Sequence, residues 1–152
     1  DRLEACGFPA TLVHGDYRLD NLVFAPDRAE IVAVLDWEMA AYGPRELDVA
    51  WLIFLHRFFQ ELTEMAGLPG LPDFLRREDV VNTYQQISGH ELRDLDFYLT
   101  YAALIHAVVM FRIQCRAIHF GQAEQPADSD DMIMHRATLE SMLAGTYWDS
   151  IR

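Results

Sequence analysis

The chain has 152 residues, the size of one domain with a single core, and its 51% of hydrophobic residues excludes a disordered chain. Its 24 acidic residues outnumber its 12 basic residues, and the net charge of −12 argues against nucleic acid as a partner. Every basic residue is an arginine, so no site built from this chain can depend on a lysine.

The first third of the chain has the pattern of short strands. Apolar runs with β-branched residues predict strands over residues 11–13, 22–24 and 31–35. Residues 25–30 include Pro26 and Asp27, and this turn composition predicts that the last two strands form a hairpin. The polar segments on either side of the hairpin should therefore lie close together.

The rest of the chain has the pattern of helices. Residues 46–62 are apolar on nearly every side, which predicts a central helix, and the segment 67–72, rich in Gly and Pro, ends it. Further helices are predicted over residues 76–88, with Gly89 as the C-terminal cap, over 94 to about 120, and over 131 to about 143. The predicted fold class is α+β, mainly α, with a short β hairpin and about four helices in one domain, residues 1–152.

Cysteine usage and hydropathy indicate a cytoplasmic protein. Cys6 and Cys115 have no CxxC spacing and are expected to be free thiols in a reducing compartment. No signal peptide opens the chain. The longest uncharged run, residues 97–111, is shorter than the roughly 20 residues of a membrane span, which predicts a core helix and no membrane partner.

Two polar segments follow predicted strands and carry the residue types of phosphoryl-transfer chemistry. Mg²⁺ prefers oxygen ligands, and Asn21 and Asp36 supply an amide oxygen and a carboxylate. Asp16 lies five residues before Asn21 and could accept the proton of an incoming hydroxyl. Arg18 could direct a guanidinium at phosphate oxygens, and a surface salt bridge to Asp20 or Glu38 is the alternative for it.

The segments Val-His-Gly-Asp-Tyr-Arg-Leu-Asp-Asn-Leu, residues 13–22, and Val-Leu-Asp-Trp-Glu, residues 34–38, resemble the catalytic and metal-binding loops of the aminoglycoside phosphotransferase family. That family has a protein-kinase-like fold. The sequences of these two segments are most similar to the branch of the family that is fused to, or encoded beside, acyl-CoA dehydrogenases. The resemblance extends over essentially the whole chain, but only over the C-terminal lobe of the two-lobe fold.

This resemblance implies a role for each matching residue. Asp16 resembles the base that orients the acceptor hydroxyl, and Asn21 and Asp36 resemble the ligands of Mg²⁺ bound with ATP. His14 resembles the residue that supports the catalytic loop from beneath. Asp48 resembles a buried acid that accepts backbone hydrogen bonds from that loop.

The sequence departs from the family in two respects. The turn Gly43-Pro44-Arg45 lacks the aspartate of the family's usual Gly-Asp-Pro. The N-terminal lobe, with its nucleotide-covering loop and its lysine, has no counterpart in the chain, so the fragment alone is expected to be inactive.

The sequence thus predicts an ATP- and Mg²⁺-dependent phosphotransferase acting on a small-molecule hydroxyl. A hydroxyacyl-CoA-type metabolite and an aminoglycoside are the two acceptors to distinguish. The alternative is a truncated or degenerate lobe that serves as a non-catalytic folding or interaction module. An exposed apolar face around residues 11–13 and the hairpin would favour a homodimer.

Overall fold

A computed structural model describes residues 11–150, with only the backbone of the last two. Cys6 lies outside these residues, and Cys115 is a free, exposed thiol. The chain divides into two compact units with the boundary between Leu99 and Thr100.

The first unit begins with two antiparallel strand pairs. β2 (Leu22–Phe24) and β3 (Ile31–Val34) form the predicted hairpin, in which Phe24 pairs with Ile31. β1 (Thr11–Val13) pairs with β4 (Ala41–Gly43), a strand that the sequence analysis did not predict. The Ala-Tyr-Gly sequence of β4 has no alternating pattern, and only its pairing with β1 defines it as a strand.

β3 ends one residue earlier than predicted. Beyond the last assigned pair, Leu22 with Val34, the Leu35 amide donates a hydrogen bond to the Asn21 carbonyl at 2.8 Å. This bond places the end of β3 beside the polar segment that follows β1.

Helix α1 (Glu46–Met65) is the centre of the first unit and is three residues longer than predicted. Its buried side chains point in several directions, as expected of a central helix: Val49, Ala50, Trp51, Ile53, Phe54, Leu55 and Phe58. α2 (Arg77–Ser88) ends at Gly89, whose φ of +68° gives the predicted left-handed cap.

Helix α3 (Leu95–His119) confirms the predicted long helix and crosses the boundary between the units. By length and composition it could cross a membrane, with a mean hydropathy of 1.3, but a core helix of a soluble protein can have the same properties. The predicted core role applies to its first half, where residues including Leu99, Ala103 and Ala107 are buried, whereas Val108 and Ile113 are exposed.

The last predicted helix, over 131 to about 143, is wrong in its first part. The structure has a 3₁₀ turn, Ser129–Met132, and then α4 (Arg136–Leu143) and one final turn, α5 (Tyr147–Ser150). The Asp128 side chain caps the 3₁₀ turn by accepting a hydrogen bond from the Asp130 amide. His135 then turns inward, with Nε2 donating to the buried Ala103 carbonyl at 2.8 Å, and interrupts the helix.

Candidate active site

The segment that follows β1 is anchored to the start of α1. Asp48 accepts hydrogen bonds from the His14 amide at 2.7 Å and from the Gly15 amide at 2.9 Å. Gly15 has a φ of +83°, and a Cβ there would lie 2.5 Å from the Met39 carbonyl oxygen. The predicted role of Asp48 as an acceptor for backbone amides therefore agrees with the geometry, and only glycine fits at position 15.

His14 is buried and connects the two polar segments. Its Nε2 lies 2.8 Å from the Leu35 carbonyl, and its Nδ1 lies 3.2 Å from the Asp16 amide. A carbonyl can only accept and an amide can only donate, so this geometry defines the neutral tautomer with the proton on Nε2. The ring also packs on Trp37, with centroids 4.6 Å apart. His14 thus contacts both polar segments, and its role in supporting the catalytic loop stays a prediction.

Both carboxylate oxygens of Asp16 are held by neighbouring donors. Trp51 Nε1 donates to Oδ1 at 2.8 Å, and Asn21 Nδ2 donates to Oδ2 at 3.0 Å and to the Asp16 carbonyl at 2.8 Å. Arg18 Nε lies 3.4 Å from Oδ2. The carboxylate is partly exposed, with 18% of its side-chain surface accessible, so it is oriented from the protein side and open on the other.

Arg18 lies between two carboxylates. Its Nη1 is 3.6 Å from Asp20 Oδ2, and its Nε is buried without a hydrogen bond although it lies beside Asp16. The structure contains the predicted ion pair of Arg18 with Asp20 and adds a contact with Asp16, whereas contact of the guanidinium with phosphate stays a prediction.

Asp36 directly follows the bond that joins Leu35 to Asn21. Its φ of +65° and ψ of +54° lie in the left-handed region, which is unusual for a residue other than glycine and is often found at functional sites. The carboxylate is exposed, and the next residue, Trp37, is fixed by a 2.9 Å hydrogen bond from its indole nitrogen to the Val34 carbonyl. Asp36 is therefore held in position by the backbone.

The donor set at this place fits a hard cation. Asn21 uses its amide nitrogen on Asp16, so its oxygen faces away from that contact, and Asp36 adds a carboxylate on the adjoining segment. Among the side chains described, those of residues 11–148, no three of His, Cys, Asp or Glu gather to form an all-protein metal site. Mg²⁺ is commonly bound by one or two protein oxygens together with substrate phosphates, which is the arrangement that two such residues can provide.

A cavity of about 320 Å³ is lined in part by Arg18, whose guanidinium lies 3.4 Å from the candidate base Asp16. Leu19 and Asp20, on the same segment, also line it. The remaining lining residues come from α1 and from the position two residues before α2: Leu52, Leu55, His56, Phe59 and Leu75. Most of the lining residues are therefore apolar, and Arg18, Asp20 and His56 are the polar ones.

Sequence reasoning predicted the loop residues and the supports His14 and Asp48, but it did not predict Trp51 as a support. Trp51 lies 35 residues from Asp16, so its hydrogen bond could not have been found from spacing. Leu52 and Leu55 were predicted only as part of an apolar helix. The cavity can be found only from the three-dimensional arrangement of its lining residues, which come from separate parts of the chain.

The first part of the chain matches a known protein family. The model of the phosphotransferase enzyme family matches residues 1–87, more than half of the chain. The chain belongs to the phosphotransferase enzyme family. This match includes both polar segments and α1.

One solved structure shows the same fold. A Ralstonia eutropha protein named as a candidate aminoglycoside phosphotransferase superposes with a TM-score of 0.63 and 27% identity, covering 92% of this chain and 43% of its own. The predicted α+β, mainly α class and the kinase-like architecture are confirmed for this member of the phosphotransferase family.

Curated relatives include acyl-CoA dehydrogenase family members. Mouse member 10 is 61% identical over 77 residues, which is 43% of this chain and 7% of the mouse protein. Human member 11 is 51% identical over 86 residues, 51% of this chain and 10% of the human protein. The chain thus spans a small fraction of the length of these relatives, and the predicted similarity to this branch of the phosphotransferase family is confirmed.

Proposed function

We propose that the protein transfers the γ-phosphoryl group of ATP to the hydroxyl of a small molecule, with Asp16 as the base. The observation that carries this proposal is the position of the Asp16 carboxylate, held by Trp51 and Asn21 and open on its remaining side. A side chain fixed in this way can orient a hydroxyl without losing conformational freedom during the reaction.

In the proposed reaction the acceptor oxygen forms a bond to the γ-phosphorus while the bond from that phosphorus to the ADP oxygen breaks. The acceptor proton passes to Asp16, and ADP departs with the electron pair of the broken bond. Asn21 and Asp36 would hold Mg²⁺, which neutralises phosphate charge when it is bound. Arg18 contributes a guanidinium on the same side as the base.

Replacing Asp16 with Ala tests this proposal directly. We expect the full-length Asp16→Ala protein to lose phosphoryl transfer and to retain ATP binding, because the change removes the base and leaves Asn21 and Asp36 in place. The matched control is Asp27→Ala, which removes an exposed carboxylate from the turn of the hairpin.

Transfer would be measured with ATP labelled on the γ-phosphate and binding by calorimetry. An active Asp16→Ala protein would exclude Asp16 as the base. A wild-type protein that binds neither ATP nor Mg²⁺ would favour the alternative of a non-catalytic module.

For the acceptor we propose a hydroxyacyl-type compound rather than an aminoglycoside. The cavity beside Asp16 has a volume near the lower end of small-molecule sites, and most of its lining residues are apolar. An aminoglycoside carries several ammonium groups, whereas Asp20 is the only carboxylate among the residues that line this cavity. The similarity to acyl-CoA dehydrogenase family members supports the same choice.

A further inference from the structure

The connection between α1 and α2, residues 66–76, contributes Leu75 to the lining of the cavity and is hydrogen-bonded to side chains of α1. Gln60 is 5% exposed, and its Oε1 accepts a hydrogen bond from the Leu71 amide at 2.7 Å. One turn earlier on α1, His56 Nε2 donates to the Leu71 carbonyl at 3.3 Å, and its ring meets Phe74 edge-on. Two side chains of α1 therefore hold both backbone groups of a single residue in the connection.

At Gly70 the connection lies directly against the Gln60 side chain. A Cβ at this position would lie 2.3 Å from Gln60 Oε1, and its φ of +55° also favours glycine. Gln60 Nε2 is itself fixed by donating to Glu64 at 2.8 Å. The path of the chain from Gly70 to Leu71 is therefore fixed by α1.

Near its end, the connection between α1 and α2 contains a cavity-lining residue whose backbone is strained. Leu75 has a φ of +51°, a conformation that a leucine adopts only when its surroundings impose it. Leu75 lines the same cavity as Arg18, Leu19 and Asp20. Strained residues are often found at binding and catalytic sites, so the position of this one at the cavity calls for a functional explanation.

We propose that Leu75 limits the length of the apolar part of the acceptor, and that Gln60 is the positioning residue that keeps Leu75 in place. This inference rests on the proposed function, because it assigns the cavity to the acceptor. In this proposal the hydroxyl reacts at Asp16, which contacts the lining residue Arg18, and the apolar part of the acceptor extends towards Leu75. An acceptor whose chain fills the space between Asp16 and Leu75 binds best, and a longer chain meets the Leu75 side chain.

The test measures how the affinity of the full-length protein depends on acceptor length. The probes are straight-chain 3-hydroxy acids of increasing length, titrated by calorimetry without ATP, so the readout does not require turnover. We expect wild-type affinity to fall beyond a certain length. In Leu75→Gly this limit should move to longer acids, with a gain of about tenfold for the first acid that the wild type rejects.

Glycine is the informative substitution at position 75 because it removes the side chain and accepts the left-handed backbone without strain. Leu71→Ala is the matched control: it shortens an exposed leucine of the same connection and keeps the backbone groups that Gln60 and His56 hold. We expect Leu71→Ala to keep the wild-type length profile.

Gln60→Leu tests the positioning role. Loss of the bond to the Leu71 amide should broaden the length limit while the kcat for the shortest acid stays unchanged, because Asp16 and its supports are untouched. A change in melting temperature with an unchanged length profile would show a merely structural role for Gln60.

The outcomes separate the inference from the proposed function. If Leu75→Gly and wild type share one length profile, or if no acid binds, the inference is wrong whatever the transfer assay shows. If the profiles shift as expected and no phosphate is transferred, the cavity assignment stands and the proposed reaction fails.

Discussion

At the scale of single residues, the candidate active site depends on a backbone contact that permits no side chain. Gly15 lies between His14 and Asp16 and places its Cα against the Met39 carbonyl. The contact joins the segment that carries the candidate base to the segment that follows Asp36. Because glycine has a hydrogen atom where alanine has a methyl group, the two segments can approach each other closely at Gly15.

Gly15→Ala should destabilise the protein more than the same change at an open position. Both Gly15 and Gly67 have positive φ values, so alanine costs about 1 kcal/mol at either place. Only at Gly15 would the new methyl group also collide with another backbone segment, since Gly67 has nothing within 4 Å. We expect Gly15→Ala to lower the free energy of unfolding more than Gly67→Ala does, as measured by urea denaturation. We also expect Gly15→Ala to abolish phosphoryl transfer in the labelled-ATP assay.

Gly67→Ala is the internal control for this comparison. If the two variants lose equal stability, the approach of Met39 to Gly15 has no energetic consequence.

At the scale of secondary-structure elements, the second unit shows how side chains set the start of a helix. Asp128 accepts hydrogen bonds from the Asp130 amide at 3.0 Å and from Arg136 Nη1 at 3.2 Å. These two bonds, in that order of importance, hold the pKa of Asp128 below its ordinary value. The carboxylate therefore links the 3₁₀ turn to the first residue of α4.

The sign of the pH effect follows from this lowered pKa. A carboxyl group with a lower pKa in the folded state stabilises the fold fully above its unfolded pKa, and that contribution is lost as the pH falls through the folded pKa. In Arg136→Gln we expect the pKa of Asp128 to rise only part of the way to its ordinary value, because the stronger bond from the Asp130 amide remains.

A carboxyl-carbon NMR titration would measure this change. Arg28→Gln is the control, because Arg28 pairs with Asp27 and Glu30 in the hairpin turn and should leave Asp128 unaffected. A full return of the Asp128 pKa to its ordinary value would show that the Asp130 amide contributes nothing.

The elements that the sequence predicted well are those with local signals. The apolar runs of β1 and β2, each with a β-branched residue, and the left-handed cap at Gly89 can be identified from neighbouring residues alone. β4 and the inward turn of His135 depend on partners far along the chain, so no local pattern indicates them. The same distinction holds within the candidate site.

The Asp16-to-Asn21 spacing is local, and the structure brings the two side chains together. Trp51 and Leu75 reach the site through tertiary packing, so the sequence analysis could not find them. The residues predicted to carry the chemistry are thus readable from the sequence, as are the supports His14 and Asp48. The contributions of Trp51 and Leu75 are not.

At the scale of the whole molecule, high negative charge coexists with exposed apolar surface. The net charge is −12, yet the hairpin exposes several large apolar side chains, namely Val23, Phe24, Ile31, Val32 and Leu35. Contiguous apolar surface favours association, and uniform negative charge opposes it. The balance between the two depends on the salt concentration.

We propose that the hairpin face supports self-association, as the sequence analysis expected. Sedimentation velocity should show an assembly that grows with protein concentration and with added salt, because salt screens the repulsion between acidic chains. Replacing Phe24 and Ile31, which pair across the hairpin, with Thr should weaken the assembly while keeping residues that favour strands.

Ile87→Thr is the control, since Ile87 is an exposed apolar residue on α2, away from the hairpin sequence. A wild-type protein that stays monomeric at every concentration and salt level would contradict the proposal.

The double role of Leu35 has a thermodynamic consequence. The Leu35 amide donates to the Asn21 carbonyl, and the Leu35 carbonyl accepts from the His14 ring. The two peptide groups that flank Leu35 therefore connect the end of β3 to the polar segment that follows β1. Neither segment can open locally without breaking bonds of the other, and the two should share one free energy of local unfolding. A ligand that binds to Asp36 alone would then also reduce the fluctuations of Asp16, because both residues belong to one cooperative unit.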